Sequence, residues 1–141
     1  MCLTSYSLEP TKAKKDIEVY KVLCEDNMAP FQHYYTYVKG LNEPTEIKKY
    51  KGSTYYGATD IHGGYLHAYL EEICAVILYN DLKKHERIMG GKKRFKIVKM
   101  IIPKGAEIWV GKYDDICSNK LYWENTGEKI KRLINKIFGR A

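Results

Sequence analysis

Apolar positions alternate along some stretches of the chain and recur at helical spacing along others. In Ile17-Glu18-Val19-Tyr20-Lys21-Val22-Leu23-Cys24, the residues Ile17, Val19 and Leu23 share one face of an extended backbone, and the segment is β-branched and aromatic. That pattern predicts a strand, closed by a turn at Glu25-Asp26-Asn27. Phe31 to Val38 reads as a second strand, with Tyr35 and Tyr37 on one face. Leu41 to Lys51 is charged, carries Pro44 and reads as a loop or an edge, and Ser53-Thr54-Tyr55-Tyr56 reads as a short strand. Phe95 to Ile102 is nearly continuous in apolar residues and suits a central strand. Pro103-Lys104-Gly105 has turn chemistry, with Ala106 to Val110 as the returning arm of a hairpin and Asn119 to Trp123 as a last short strand.

Two stretches carry the helical period. From Tyr65 to Tyr79, the residues Leu66, Tyr69, Leu70, Ile73 and Ile77 recur at i, i+3 and i+4, which predicts a helix whose stripe packs on the sheet. Gly63-Gly64 supplies a flexible entry. Glu128 to Phe138 predicts a C-terminal helix, with Ile130, Leu133, Ile134 and Ile137 on one face and Thr126 as N-cap. The order βββαβββα makes this an α+β protein: about six strands in a mostly antiparallel sheet, one central amphipathic helix and a C-terminal helix. At 141 residues, 1–141 is a single domain, with 1–15 a polar, irregular N-terminal segment.

Composition removes several classes. No apolar run reaches about 18 residues, so no membrane span and no membrane partner are expected. Met1 to Ser7 has neither a basic nor an apolar region of the secretory kind. Cys2, Cys24, Cys74 and Cys117 show no C-x-x-C spacing, so free thiols in the cytoplasm are expected.

Charge changes the picture more. The formal net charge is +7. Lys83, Lys84, Arg87, Lys92, Lys93, Arg94, Lys96 and Lys99 face only Glu86 between Leu82 and Lys99, so this one segment accounts for the whole excess. Read as a loop around Gly90-Gly91, it would attract a phosphate backbone or an acidic protein. Its plainer reading is a solvated loop that keeps the chain soluble. Of the 13 tyrosines, Tyr34, Tyr35, Tyr37, Tyr50, Tyr55, Tyr56, Tyr65 and Tyr69 crowd the first half of the chain. Exposed Tyr35 and Tyr37 would add stacking to that attraction, the pairing a nucleic-acid binder uses; packing within strands is their ordinary role.

The candidates for chemistry are fewer. His67 and Glu71, four apart on the expected helix, would meet on one face, with Cys74 nearby and His62 in the preceding loop. No H-E-x-x-H or paired-Cys spacing accompanies them, so no metal and no cofactor are expected.

Three pieces carry a resemblance: Val19-Tyr20-Lys21-Val22, Gly64-Tyr65-Leu66-His67-Ala68 and Val98 to Ala106 with its I-P-K-G-A run. Together they resemble a group of small bacterial and phage proteins, which implies a fold and no particular activity. The late I-P-x-G hairpin is also similar to that of ADP-ribosyltransferases. That similarity implies an NAD cleft with Tyr20 and Lys21 on the first strand, Ser53-Thr54-Tyr55 shaping the pocket and Glu124 as the acid. The first strand lacks the Arg or His of those enzymes, and Tyr122 stands where a second acid would be. Three readings follow: a non-catalytic binding module for nucleic acid or an acidic protein, first; an NAD-binding transferase, second; a homo-oligomeric structural subunit, third.

Overall fold

A computed structural model describes residues 3–5, 10–30, 35–43, 51–55, 58–61 and 65–124, the backbone alone for 3–5, 51–55 and 58–61. The fold is α+β, with one α-helix and an eight-stranded antiparallel sheet among the described residues. The strands are β1 (Leu3–Ser5), β2 (Thr11–Lys12), β3 (Ile17–Cys24), β4 (Gly40–Asn42), β5 (Lys51–Tyr55), β6 (Ala58–Ile61) and β7 (Leu66–Tyr69). Helix α1 (Glu72–Ile88) comes next, then β8 (Phe95–Ile102), β9 (Glu107–Val110), β10 (Asp115–Ser118) and β11 (Leu121–Trp123). The large sheet runs β2-β9-β10-β7-β3-β8-β11-β4, and a smaller one runs β1-β6-β5.

The two strands with the strongest apolar pattern lie together near its centre. β3 and β8 pair from Ile17–Ile102 to Cys24–Phe95. One face of this pair carries Val19, Leu23, Met100 and Ile102, all buried in the main core with Leu66, Ala68, Ile116 and Leu121. Val22 and Cys24 alternate to the other face, where Glu86 of α1 and Lys93 act electrostatically on the Cys24 thiol. Asn42, fully buried, ties the segment after Tyr35 to β11. Its Oδ1 accepts the Tyr35 hydroxyl at 3.0 Å and the Val38 N–H at 2.9 Å, and its Nδ2 donates to the carbonyls of Val38 at 2.9 Å and Leu121 at 3.1 Å.

Several expectations change. The helix expected over Tyr65–Tyr79 is a strand followed by a helix. Leu66 and Leu70, four apart, share a face at period 2 as well as at period 3.6, so their spacing could not choose. Pairing with β10 made the choice, Leu66 opposite Ser118 through Tyr69 opposite Asp115. Glu71 is the extended N-cap of α1, and the helix buries Ala75 against β3, β8 and β7 while Ile73 and Ile77 face outward. The basic segment is therefore not a loop. Lys83, Lys84 and Arg87 lie on α1, Lys92, Lys93 and Arg94 on the link to β8, and Lys96 and Lys99 on β8.

The expected hairpin after Pro103 does not close on β8. Gly105 turns with φ 89, and β9 pairs instead with β2 and β10. Of the strand expected over 31–38, residues 31–34 lie outside the described residues and Thr36 makes an isolated bridge to Met28; Gly40–Asn42 is the edge strand β4 of the large sheet; and the first fifteen residues contain β1 and β2. The C-terminal helix expected at 128–138 and His62 lie outside the described residues. No helix among the described residues is long and apolar enough to cross a membrane.

Candidate functional site

The cations divide by environment. Lys99 pairs with Glu18 at 3.0 Å, and Lys96 donates to Asn27 Oδ1 while lying 5.4 Å from the Trp123 ring. These two are structural. Lys83, Lys84, Arg87, Lys92, Lys93 and Arg94 are all exposed, and none forms an ion pair with a described acid. Lys83 lies 5.3 Å over the Tyr79 ring, one helical turn away.

The one acid of the segment is turned inward. Glu86 Oε2 accepts the Lys93 N–H at 3.3 Å, and the Glu86 carbonyl accepts the Gly91 N–H at 2.9 Å. Gly90, at φ 71, supplies the left-handed residue that ends α1. A Cβ on Gly91 would stand 1.9 Å from the Glu86 carboxylate. The link thus has a defined shape, with its carboxylate spent on its own backbone and its cations directed to solvent.

The tyrosines do not extend this surface. Tyr37 is 2% exposed and Tyr35 half-buried, their rings meeting edge to face at 5.0 Å. Tyr37 joins the core, so the expectation of an exposed tyrosine pair is corrected.

The expected His67–Glu71 contact across a helical turn is lost with the helix. His67 is buried on β7, and Glu71 is exposed at the start of α1. His67 instead lies directly opposite Cys117 on β10, and Cys117 lies opposite Trp109 on β9. Direct antiparallel partners have Cβ atoms about 4.5–5.5 Å apart, so sulfur, imidazole and indole form one row. Burial pushes the Cys117 thiol far up from its ordinary pKa, which holds it as a protonated packing group rather than a thiolate nucleophile. Beside the row, the Tyr65 hydroxyl donates to Glu107 Oε1 at 2.7 Å, and burial first of all raises its pKa to about 12.

A second buried polar group was not expected. Lys21 is 6% exposed on the core face of β3. Its Nζ donates to the His67 carbonyl and lies 4.9 Å from the Tyr37 ring centroid. Desolvation lowers its pKa to about 7, while carbonyl and ring favour the charged form. Tyr20, the neighbour on the opposite face, lies across from Tyr69 in the only registered pair between β3 and β7.

Comparison with protein families, curated proteins and solved structures finds no match.

The strand order also bears on the acid expected from the transferase resemblance. Glu124 follows β11, and β3 and β8 lie between β11 and β7. At about 4.8 Å per strand, Glu124 and His67 are set on strands some 14 Å apart. Ser53 and Thr54 belong to the smaller sheet. Among the described residues no group of three or more metal-ligating side chains gathers. The burial of Lys21 was not expected, yet it had a signal: the residue occupies the alternate position between Val19 and Leu23, on the face whose neighbours are apolar.

Proposed function

We propose that the protein is a non-catalytic binding module for a polyanion. The observation that carries this reading is the six-cation surface of Lys83, Lys84, Arg87, Lys92, Lys93 and Arg94, exposed and in no ion pair with a described acid. With Tyr37 in the core, attraction rests on charge and not on stacking. The ligand that fits is the phosphate backbone of nucleic acid, bound with little preference for sequence or for single strands. Each Lys or Arg set against a phosphate releases condensed counterions, so affinity falls steeply with salt.

An acidic protein is the second reading. Ile88 and Met89, each 70% exposed, sit between the two groups of cations, and apolar contacts of this kind serve a protein partner better than a phosphate backbone. Titration of duplex DNA, single-stranded DNA and RNA at low and moderate salt tests the first reading. The variant Lys92→Gln/Lys93→Gln/Arg94→Gln should bind weakly and show a shallower salt dependence, by about one unit of slope per lost phosphate contact. Failure of the parent to bind any of the three at low salt would leave the acidic protein; equal binding by the variant would place the surface elsewhere.

A further inference from the structure

We infer that the large sheet opens along the boundary between β3 and β7, and that the Lys21 amine is the latch across that boundary, released by protonation. The inference is independent of the proposed polyanion site. β3 is laddered to β8 from Ile17–Ile102 to Cys24–Phe95, and β7 is paired with β10 along its whole length. Between β3 and β7 the register consists of Tyr20 opposite Tyr69 and goes no further. Continued, it would set Lys21 opposite Ala68 and Val22 opposite His67. The Lys21 side chain crosses there instead, its Nζ donating to the His67 carbonyl. This boundary divides the sheet into β2-β9-β10-β7 and β3-β8-β11-β4. α1 packs on β3, β8 and β7 and so spans the boundary, yet of its own residues it buries only Ala75.

The surroundings of the amine say why a proton releases it. From β8, Val98 stands directly opposite Lys21, with Lys96 two residues along on the same face and engaged by Asn27 Oδ1. From the segment before β4 come Tyr37, whose ring lies 4.9 Å from Nζ, and Tyr35 against Tyr37. From β7 comes the His67 carbonyl, while the His67 and Tyr69 side chains alternate to the other face. No carboxylate among the described residues acts on Lys21, and burial lowers its pKa to about 7. Parting the strands breaks the bond to His67 and returns the amine to water, where its ordinary value of 10.5 applies. The open sheet then holds the proton more tightly than the closed one. Opening therefore grows as pH falls, by about tenfold for each pH unit, and levels off once the closed form is protonated too. The boundary between β11 and β8 also has a single registered pair, Tyr122 opposite Ile101. The cation beside it, Lys96, is half-buried and shared between Asn27 and the Trp123 ring, so that boundary has no buried amine to release.

Amide hydrogen exchange of the whole chain, followed residue by residue by NMR between about pH 7 and pH 9, tests this. The amides through which Tyr20 and Tyr69 pair should be at least about tenfold less protected than those of the β3–β8 ladder, because they open without the rest of the fold. Their protection should rise about tenfold for each pH unit. In Lys21→Met it should be the same at every pH. Tyr20→Cys/Tyr69→Cys, oxidised, tests the boundary with the amine in place, since direct antiparallel partners lie close enough for a disulfide. It should raise the amides beside the cross-link to the protection of the ladder. Boundary amides as protected in the parent as those of the ladder overturn the inference. So does protection that is independent of pH in the parent, or a pH dependence that Lys21→Met leaves unchanged.

Discussion

Lys21 Nζ donates a hydrogen bond to the backbone carbonyl of His67, placing an amine inside the core beside the only registered pair between β3 and β7. A buried charge is costly unless paired, and here its partners are a carbonyl and an aromatic face.

The pH dependence of this cost has a definite sign. The Lys21 pKa is lowered from 10.5 to about 7 by burial. Below the folded pKa the amine is charged in the folded and unfolded chains alike, and the full penalty is present. Between the two values the unfolded chain holds more protons, so stability rises with pH; above the higher value the penalty is gone. Lys21→Met should therefore be more stable than the parent at about pH 6, by on the order of 3 kcal/mol, with the gap closing toward about pH 10. Denaturant unfolding of both proteins across this range measures it, and a gap independent of pH would mean that the amine is not desolvated.

The strand–helix boundary at Glu71 separates side chains that a single helix would have treated alike. Leu66 is buried in the main core and Ile73 is exposed. Leu66→Ala should cost roughly 2–5 kcal/mol. Ile73→Ala should stay within about 0.5 kcal/mol. Comparable losses from both would return Ile73 to the core.

Gly91 lets the Glu86 carboxylate approach the link. A methyl group there meets the end of a flexible side chain, which can swing away at the expense of its bond to the Lys93 N–H. Gly91→Ala should cost about 0.5–1.5 kcal/mol. Combined with Glu86→Gln it should cost less than the two single losses added. Thermal unfolding of the four proteins completes the cycle; strict additivity would uncouple Gly91 from Glu86.

The thiols should differ in reactivity. Cys24 and Cys117 are buried and Cys74 is half-exposed. Burial raises the pKa of all three, with the largest rise at Cys117. A thiol reagent followed by peptide mapping should label Cys74 in the native protein, and Cys24 and Cys117 only on unfolding. Rapid native labelling of Cys117 would revive it as a nucleophile opposite His67.

Alternation and apolar density were enough for the centre of the fold. β3 and β8 were legible as strands because β-branched residues at period 2 satisfy local preference and burial together, as was the turn at Pro103-Lys104-Gly105. The concentration of charge between Leu82 and Lys99 was legible too, since charge is a property of the residues wherever the chain goes. What those cations stand on was not. Leu66, Leu70, Ile73 and Ile77 fit one helical stripe in sequence, and only pairing of Leu66–Tyr69 with β10 drew Leu66 into a strand and left Ile73 and Ile77 facing solvent. The burial of Tyr37, the position of Lys21 under the His67 carbonyl and the His67–Cys117–Trp109 row were likewise decided by tertiary structure. Each joins residues far apart along the chain, and a sequence carries no local preference for a partner on another strand; that choice is made when several faces must be buried at once.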